Sequence, residues 1–262
     1  MAFGAPHRHF RVTDSTNAQA KELAAAGAPN GTVVTASEQT AGRGRRGRTW
    51  VAPPGKALLY SLLLRPLGDR PLLPLAAALA VCETAEELAT KASDAGGETD
   101  LACAVKWPND VLVDGRKLAG ILIEARPATS TSGWAVVGVG LNLSISPDEF
   151  PPDLRKTAIS IFGPSGGRGK SRRSLHAVAP AGLSPTPLTA AAVLNRHLTR
   201  WVDAEDEAIL AAWEKRDALA GQEVAWEGGS GVAGGVDGSG NLIVATAGGP
   251  VTLSAGEVRL RT

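Results

Sequence analysis

The chain has 262 residues, a formal net charge of +1 and 4% aromatic side chains. Such a balanced charge argues against a general nucleic-acid-binding surface, and no stretch of the sequence has the length and apolarity of a membrane span. Two cysteines, Cys82 and Cys103, lie in apolar segments. They predict reduced core thiols and a cytoplasmic protein, and exclude a disulfide-based scaffold.

The first half of the chain predicts strands that alternate with helices. Residues 1–10 are interpreted as a short leader, and Asp14, Ser15 and Thr16 offer side-chain caps for the first helix. Asp114 and Gly115 predict a tight hairpin turn. In chain order, the predicted elements are strand Phe10–Thr13, helix Asn17–Ala26, strands Thr32–Ser37 and Ala57–Leu64, helix Pro71–Ala92, and strands Leu101–Lys106, Val111–Val113, Lys117–Ala125 and Trp134–Leu143.

The second half of the chain changes character twice. Residues 162–187 are rich in Gly, Ser, Pro and basic side chains and are interpreted as a flexible insertion. Two helices are predicted next, and then five short strands between Gly turns, which predict a small β domain over residues 220–262 that must dock on the main domain. The predicted elements are helices Leu188–Asp203 and Glu205–Leu219 and strands Glu223–Trp226, Gly231–Val236, Leu242–Ala245, Val251–Leu253 and Glu257–Leu260.

Positive charge is concentrated in one glycine-rich loop, GRGRRGR, at Gly42–Arg48. Glycine lets backbone N–H groups approach an anion, and arginine binds phosphate or carboxylate through two parallel hydrogen bonds. The loop also matches the dinucleotide-binding pattern GxGxxG, but the following Thr49–Gly55 segment is a poor helix start. An RNA-binding or targeting tract is an alternative, although flanking strands place the loop inside a folded core.

Two further polar clusters lie at element boundaries. The first is Ser15-Thr16-Asn17 at a helix start, where the first two residues are also good caps. The second is Lys106–Asp110 with Lys117 across the hairpin, which a turn and a charged strand edge would also explain. Gly138 and Gly140 in the last predicted strand would leave space against its backbone.

Together, four segments resemble the signature motifs of biotin protein ligases. They read EQTAGRGRRGRTW at Glu38–Trp50, KWPND at Lys106–Asp110, GRKLAGILIE at Gly115–Glu124 and GVGLN at Gly138–Asn142. The resemblance implies an α/β (α+β) catalytic domain, residues 11–219, with a mixed central sheet flanked by helices and a C-terminal SH3-like barrel. It also implies ATP-dependent formation of biotinyl-5′-AMP and transfer of biotin to one lysine of a biotin carboxyl carrier domain.

The resemblance also implies roles for individual residues. The catalytic pair is Arg45 and Lys117, which meet the biotin carboxylate and the α-phosphate. The remaining roles are biotin binding by Ser15, Thr16, Asn17, Gln39, Arg43 and Gly44 with that pair, and nucleotide binding by Arg48, Trp50, Lys106, Asn109 and Asn142. Trp50 is also a candidate for the apolar slot that holds biotin's rings. Asp110 either contacts Mg²⁺ through water or serves the hairpin.

Several expectations follow from how the motifs are placed. They begin near residue 11, so we expect a ligase without the DNA-binding domain of some relatives, and no nucleic acid or membrane partner. Two copies could pair through a sheet edge, with Trp134–Leu141 as the candidate strand, although an ordinary buried strand would look the same in sequence. The rival functions are a lipoate or octanoate ligase or transferase and a non-enzymatic RNA-binding protein.

Overall fold

The computed structural model describes residues 3–66, 68–93, 101–126, 133–163, 185–254 and 256–260. The predicted insertion falls mainly on residues 164–184, which lie outside the described residues. Within the described part of the chain, no helix is long and apolar enough to cross a membrane.

A seven-stranded mixed sheet forms the centre of the protein. Its spatial order is β1-β2-β3-β7-β6-β5-β4, with β1 parallel to β2 and every other neighbouring pair antiparallel. The strands are β1 (His7–Thr13), β2 (Val33–Gln39), β3 (Ala57–Leu64), β4 (Ala104–Lys106), β5 (Asp110–Val113), β6 (Arg116–Arg126) and β7 (Trp134–Asn142).

Helices cover both faces of this sheet. Since side chains alternate along a strand, Val34, Leu63 and Val136 pack against one helix, α1, while their neighbours face the large core formed with α2 and α3. All eight residues of β3 are buried, which confirms a strand covered on both faces. The helices are α1 (Thr16–Ala25), α2 (Leu73–Ser93), α3 (Pro187–Val202) and α4 (Asp206–Glu214).

The C-terminal strands form a second, five-stranded antiparallel sheet in the order β11-β10-β9-β8-β12. Leu242 and Val258 join the main core cluster, and Trp107 Nε1 donates to Gly240 O at 2.9 Å, so the predicted docking is confirmed. Among the described residues, no pairing closes this sheet into a barrel. Its strands are β8 (Glu223–Trp226), β9 (Gly229–Val236), β10 (Leu242–Thr246), β11 (Gly249–Leu253) and β12 (Arg259–Leu260).

Three predictions about local structure are wrong. The first strand begins at His7, within the expected leader, because parallel pairing with β2 satisfies its backbone. The last predicted helix ends at Glu214, because the chain then pairs with Val105 through Arg216 O and Ala218 N. Strand β7 cannot be a free edge, since β3 and β6 flank it.

The hairpin that carries KWPND is formed as predicted. Asp114 and Gly115 have φ angles of 49° and 71°, the two left-handed residues that a type I′ turn requires. This turn joins β5 to β6 and places Lys117 beside Asp110. The predicted proximity of Lys117 to the KWPND segment across the hairpin is therefore confirmed.

Candidate functional site

A cavity of about 480 Å³ opens on the face of the sheet that carries α1. All fourteen residues selected from the sequence line it, although they come from six separate segments of the chain. These residues are Ser15, Thr16, Asn17, Gln39, Arg43, Gly44, Arg45, Arg48, Trp50, Lys106, Asn109, Asp110, Lys117 and Asn142.

One end of the cavity, which we call the neutral end, consists of Ser15, Thr16, Asn17 and Gln39. The backbone N–H of Thr16 donates to Gln39 Oε1 at 2.7 Å, and its hydroxyl donates to the same oxygen at 3.0 Å. This arrangement leaves the Gln39 NH₂ group as a donor for other partners. The neutral end is therefore a prearranged set of uncharged hydrogen-bonding groups.

Ser15 occupies the N-cap position of α1 without acting as a side-chain cap. Its backbone is extended, but its side chain makes no cap hydrogen bond. By contrast, Thr186 Oγ1 at the start of α3 accepts from Thr189 N at 3.2 Å. The capping alternative is therefore wrong for Ser15, whose buried side chain lines the cavity instead.

Two glycines of β7 make room for the side chains that form the cavity wall. A Cβ atom on Gly138 would lie 2.1 Å from Asn17 Oδ1, and one on Gly140 would lie 2.4 Å from the Trp50 ring. Because these glycines are two residues apart on one strand, Asn17 and Trp50 lie side by side along the same face. The predicted space against β7 is confirmed.

Trp50 divides the neutral end from the positively charged part of the cavity. Its ring packs over Gly140, and Lys117 Nζ lies 5.9 Å from the ring centroid. The indole Nε1 is buried and has no hydrogen-bond partner among the described residues. A buried donor of this kind is normally satisfied, and no described group of the protein satisfies this one.

The other end of the cavity, which we call the cationic end, consists of Arg45, Arg48, Lys106 and Lys117. Arg45 Nη1 donates to Asn109 Oδ1 at 3.2 Å, and Lys117 Nζ lies 2.6 Å from Asp110 Oδ1. Asp110 also interacts electrostatically with Arg45, and both cations line the same cavity. The cationic end therefore concentrates positive charge from two distant stretches of sequence.

The arginine loop that supplies much of this charge is held by hydrogen bonds within the loop and by contacts to distant segments. Gly44 N donates to Arg48 O at 2.7 Å, and Arg48 forms an ion pair with Glu257 of the C-terminal segment. Partial burial, and then the charge of Arg46, lower the pKa of Arg45. A guanidinium in such surroundings gains from an incoming anion.

Three contact residues were not predicted as site residues from the sequence. Ser61 interrupts the mostly apolar run of β3, and Glu124 is the acidic residue in the apolar part of β6; both exceptions are signals that the sequence carries. Ser61 and Glu124 both contact Asn17. Glu257, which pairs with Arg48, begins the last strand predicted from the sequence, and nothing in that segment marks it as a site residue.

The protein has an α/β fold whose cavity has one neutral polar end and one cationic end. Residues 9–142 match the model of the biotin/lipoate A/B protein ligase family. A biotin–[acetyl-CoA-carboxylase] ligase of Paracoccus denitrificans is 35% identical, over 94% of this chain and 97% of that protein. The chain belongs to the biotin/lipoate A/B protein ligase family.

Two further similarities extend this comparison. The bifunctional ligase/repressor BirA of Bacillus subtilis is 40% identical over 158 residues, which are 59% of this chain but only 46% of that protein. A mutant biotin protein ligase from Aquifex aeolicus, in complex with biotin, superposes with a TM-score of 0.72. It is 24% identical and the match covers 97% of each chain, so it supports the fold.

Proposed function

We propose that this protein is an ATP-dependent biotin ligase that forms biotinyl-5′-AMP and transfers biotin to a lysine of a carrier domain. The Paracoccus relative, which is similar over nearly its whole length, is named for this activity on acetyl-CoA carboxylase. The observation that carries the proposal is the convergence of Arg45 and Lys117 on adjacent hairpin residues, Asn109 and Asp110.

The first half-reaction joins two anions, and the cationic end is suited to it. A carboxylate oxygen of biotin attacks the α-phosphorus of ATP, a P–O bond forms, and pyrophosphate leaves with the electrons of the broken bond. Arg45 and Lys117 would offset the repulsion and stabilise the charge that builds on the α-phosphate. Catalysis then rests on positioning and electrostatics, without a covalent enzyme nucleophile.

The neutral end is suited to the uncharged ureido ring of biotin. Ser15, Thr16, Asn17 and Gln39 would supply its donors and acceptors, and an unpaired ureido group would cost roughly 1–3 kcal/mol for each lost partner. Trp50 would lie along biotin's apolar rings. Arg43 and Gly44 would close the arginine loop over the acid end.

The remaining lining residues would serve the nucleotide. Arg48 and Lys106 are the cations available to its phosphates, while Trp50, Asn109 and Asn142 line the route between the hairpin and β7. Asn142 is already anchored, because its Nδ2 donates to Ile159 O at 3.0 Å.

The carboxylates of the cavity fit a magnesium ion that arrives with ATP. No group of three or more His, Cys, Asp or Glu side chains that could hold a metal occurs in the described part of the chain. Mg²⁺ usually needs only one or two carboxylates beside substrate phosphates and water, and Asp110 and Glu257 line the cavity. When bound, the ion would neutralise phosphate charge.

Transfer to the acceptor completes the proposed reaction. The lysine amine of a carboxylase's carrier domain attacks the acyl carbon of biotinyl-5′-AMP, a C–N bond forms, and AMP leaves.

We also propose the following domain organisation: a catalytic domain at residues 11–219, a docked SH3-like domain at residues 220–262, and self-association of two copies. Cys82 and Cys103 are buried and not disulfide-bonded, which suits a cytoplasmic setting.

Pyrophosphate exchange into ATP tests the proposed function directly. The wild-type protein should catalyse exchange that depends on biotin, and mass spectrometry should then find one biotin on the lysine of an added carrier domain. Exchange that depends on lipoate and ignores biotin would reassign the protein to the lipoate branch of the family. Salt-sensitive RNA binding without exchange for any acid would reject the ligase proposal.

A further inference from the structure

Asn17 is held by three polar groups, and its hydrogen-bonding capacity is almost used up inside the protein. Its Nδ2 donates to Glu124 Oε2 at 2.9 Å and to Leu122 O at 3.3 Å. Its Oδ1 accepts from the Ser61 hydroxyl at 2.6 Å. A carboxamide has two N–H donors and an oxygen with two lone pairs, so one acceptor position remains.

The orientation of the Asn17 carboxamide follows from these partners. If the amide were flipped, its oxygen would face the Leu122 carbonyl and the Glu124 carboxylate, both of which are acceptors. The Ser61 hydroxyl alone could serve either orientation, because it both donates and accepts. Glu124 is the charged member of this set, and an ionised carboxylate can only accept.

The charge on Glu124 is supported from its other side. Its Oε1 lies 2.5 Å from Lys21 Nζ and 3.7 Å from Arg43 Nη1. Burial by itself would raise the pKa of Glu124, but the hydrogen bonds from Lys21 and Asn17 and the charges of Lys21 and Arg43 hold this pKa below its usual value. The carboxylate therefore stays ionised at neutral pH.

We infer that Glu124 is a positioning residue that fixes Asn17 as a hydrogen-bond acceptor and so requires an N–H donor on the ligand. This inference rests on the proposed function, because the ureido ring of biotin carries two such N–H groups and the dithiolane of lipoate carries none. Glu124 itself would not touch the ligand. Through Oε1 it also links the neutral end to Arg43, the first arginine of the loop.

The structure offers a matched pair of substitutions that separate the two contacts of Glu124. Glu124→Gln keeps the size of the side chain but brings an NH₂ group that can donate to a flipped Asn17. Lys21→Ala removes a partner of Glu124 on the other oxygen and leaves the Asn17 contact in place. Lys21 does not line the cavity, which makes it the control.

The test compares biotin with two analogues in which one or the other ureido N–H is replaced by oxygen. Wild-type protein should prefer biotin over one analogue by about tenfold or more in KM, the value of one lost hydrogen bond with its unpaired partner. Glu124→Gln should raise the KM for biotin roughly fivefold or more and leave the KM for ATP unchanged. It should also reduce the ratio between the KM for the disfavoured analogue and the KM for biotin. Lys21→Ala should stay within about twofold of wild type.

Several outcomes would overturn the inference. One is a Glu124→Gln protein with the wild-type KM and the wild-type preference. Another is a Lys21→Ala protein whose KM for biotin rises as much as that of Glu124→Gln, since Glu124 would then act only by holding α1 in place. Wild-type protein that shows no biotin-dependent exchange would instead refute the proposed function, which separates the two failures.

An exchange of roles between the two residues provides an independent check. Asn17→Asp places a carboxylate against Glu124 and should weaken biotin binding by about tenfold or more. Adding Glu124→Gln supplies a donor to that aspartate and should recover most of the loss, a coupling that a double-mutant cycle measures. Additive losses in the double variant, with melting temperatures equal to those of the single variants, would contradict a positioning role.

Discussion

At the neutral end of the cavity, Ser15, Thr16 and Asn17 are each at most 4% exposed, whereas at the cationic end the Arg48 side chain is 59% exposed. Neutral groups can be buried cheaply once their hydrogen bonds are made within the protein. Cations that have no anionic partner cannot be buried so cheaply, because desolvating an unpaired charge costs several kcal/mol. The neutral end therefore has its internal hydrogen bonds formed before a ligand binds, whereas the cationic end gains its anionic partner from the ligand.

The cationic end keeps its charges solvated or temporarily paired. Lys117 is paired with Asp110 and Arg48 with Glu257, so carboxylates of the protein occupy places that a ligand's anions would take. Because the two ends differ in this way, we expect substitutions at the neutral end to change recognition of biotin. We expect substitutions at the cationic end to change the chemical step and the motion of the arginine loop.

The largest expected effect is that of Lys117→Met on adenylate formation. Removing a cation from the place where charge develops should lower kcat for pyrophosphate exchange on the order of 100- to 1,000-fold. Lys56→Met is the matched control, because Lys56 is equally exposed and also pairs with one carboxylate, Glu149. Equal losses in the two variants, or a Lys117→Met protein as active as wild type, would contradict the assigned role.

A second substitution tests whether the neutral end is rigid. Gly138→Ala places a Cβ atom 2.1 Å from Asn17 Oδ1, so the carboxamide must move. We expect the KM for biotin to rise roughly ten- to a hundredfold while the KM for ATP changes little, with a stability cost of about 1–3 kcal/mol. Gly238→Ala, where an added Cβ meets nothing within 4 Å, is the control. A parallel rise in both KM values would mean that the two ends are not independent.

The arginine loop should respond to ligand more than any other part of the site. Limited proteolysis of free protein should cut between Gly42 and Gly55, and saturating biotin with MgATP should slow this cut by at least about tenfold. Closure of the loop would also protect biotinyl-5′-AMP from water. A cutting rate that is the same with and without both substrates would show that the loop does not close.

The smallest expected effect concerns the ion pair between Arg48 and Glu257. The hydrogen bond from Arg48 lowers the pKa of Glu257 below its ordinary value of 4.5, so the pair stabilises the fold above that pH and is lost as the pH falls through the lowered pKa. Glu257→Gln should lower the melting temperature at pH 7 by no more than about 2 °C, and the difference should vanish in acid. A difference that persists or grows as the pH falls would reverse the sign of this argument.

Much of the fold was readable from local patterns in the sequence. The apolar run Ala57–Leu64 predicted a strand covered on both faces, and Asp114-Gly115 predicted the hairpin turn; both are confirmed. The elements whose predicted boundaries are wrong depend on partners that are distant in sequence. His7 joins the sheet because β2 is available beside it, and the helix after Asp206 stops where the chain pairs with Val105.

The site shows the same division. The motif residues were selected because phosphate and carboxylate chemistry needs clustered arginine, glycine and lysine, and all of them line one cavity. Ser61, Glu124 and Glu257 were not selected, since their importance lies in contacts with residues 44, 107 and 209 positions away.

The sequence by itself determined which residues carry the chemistry, the order of most elements and the tight turn that sets Lys117 beside Asp110. These features depend on side-chain type and on short-range backbone preferences, which one chain displays directly. Only the tertiary structure decided that Asn17 presents an acceptor, that Ser15 is free of capping and that Arg48 is paired with Glu257. Hydrogen-bond orientation and charge pairing belong to groups in contact, and contact between distant segments arises only when the chain folds.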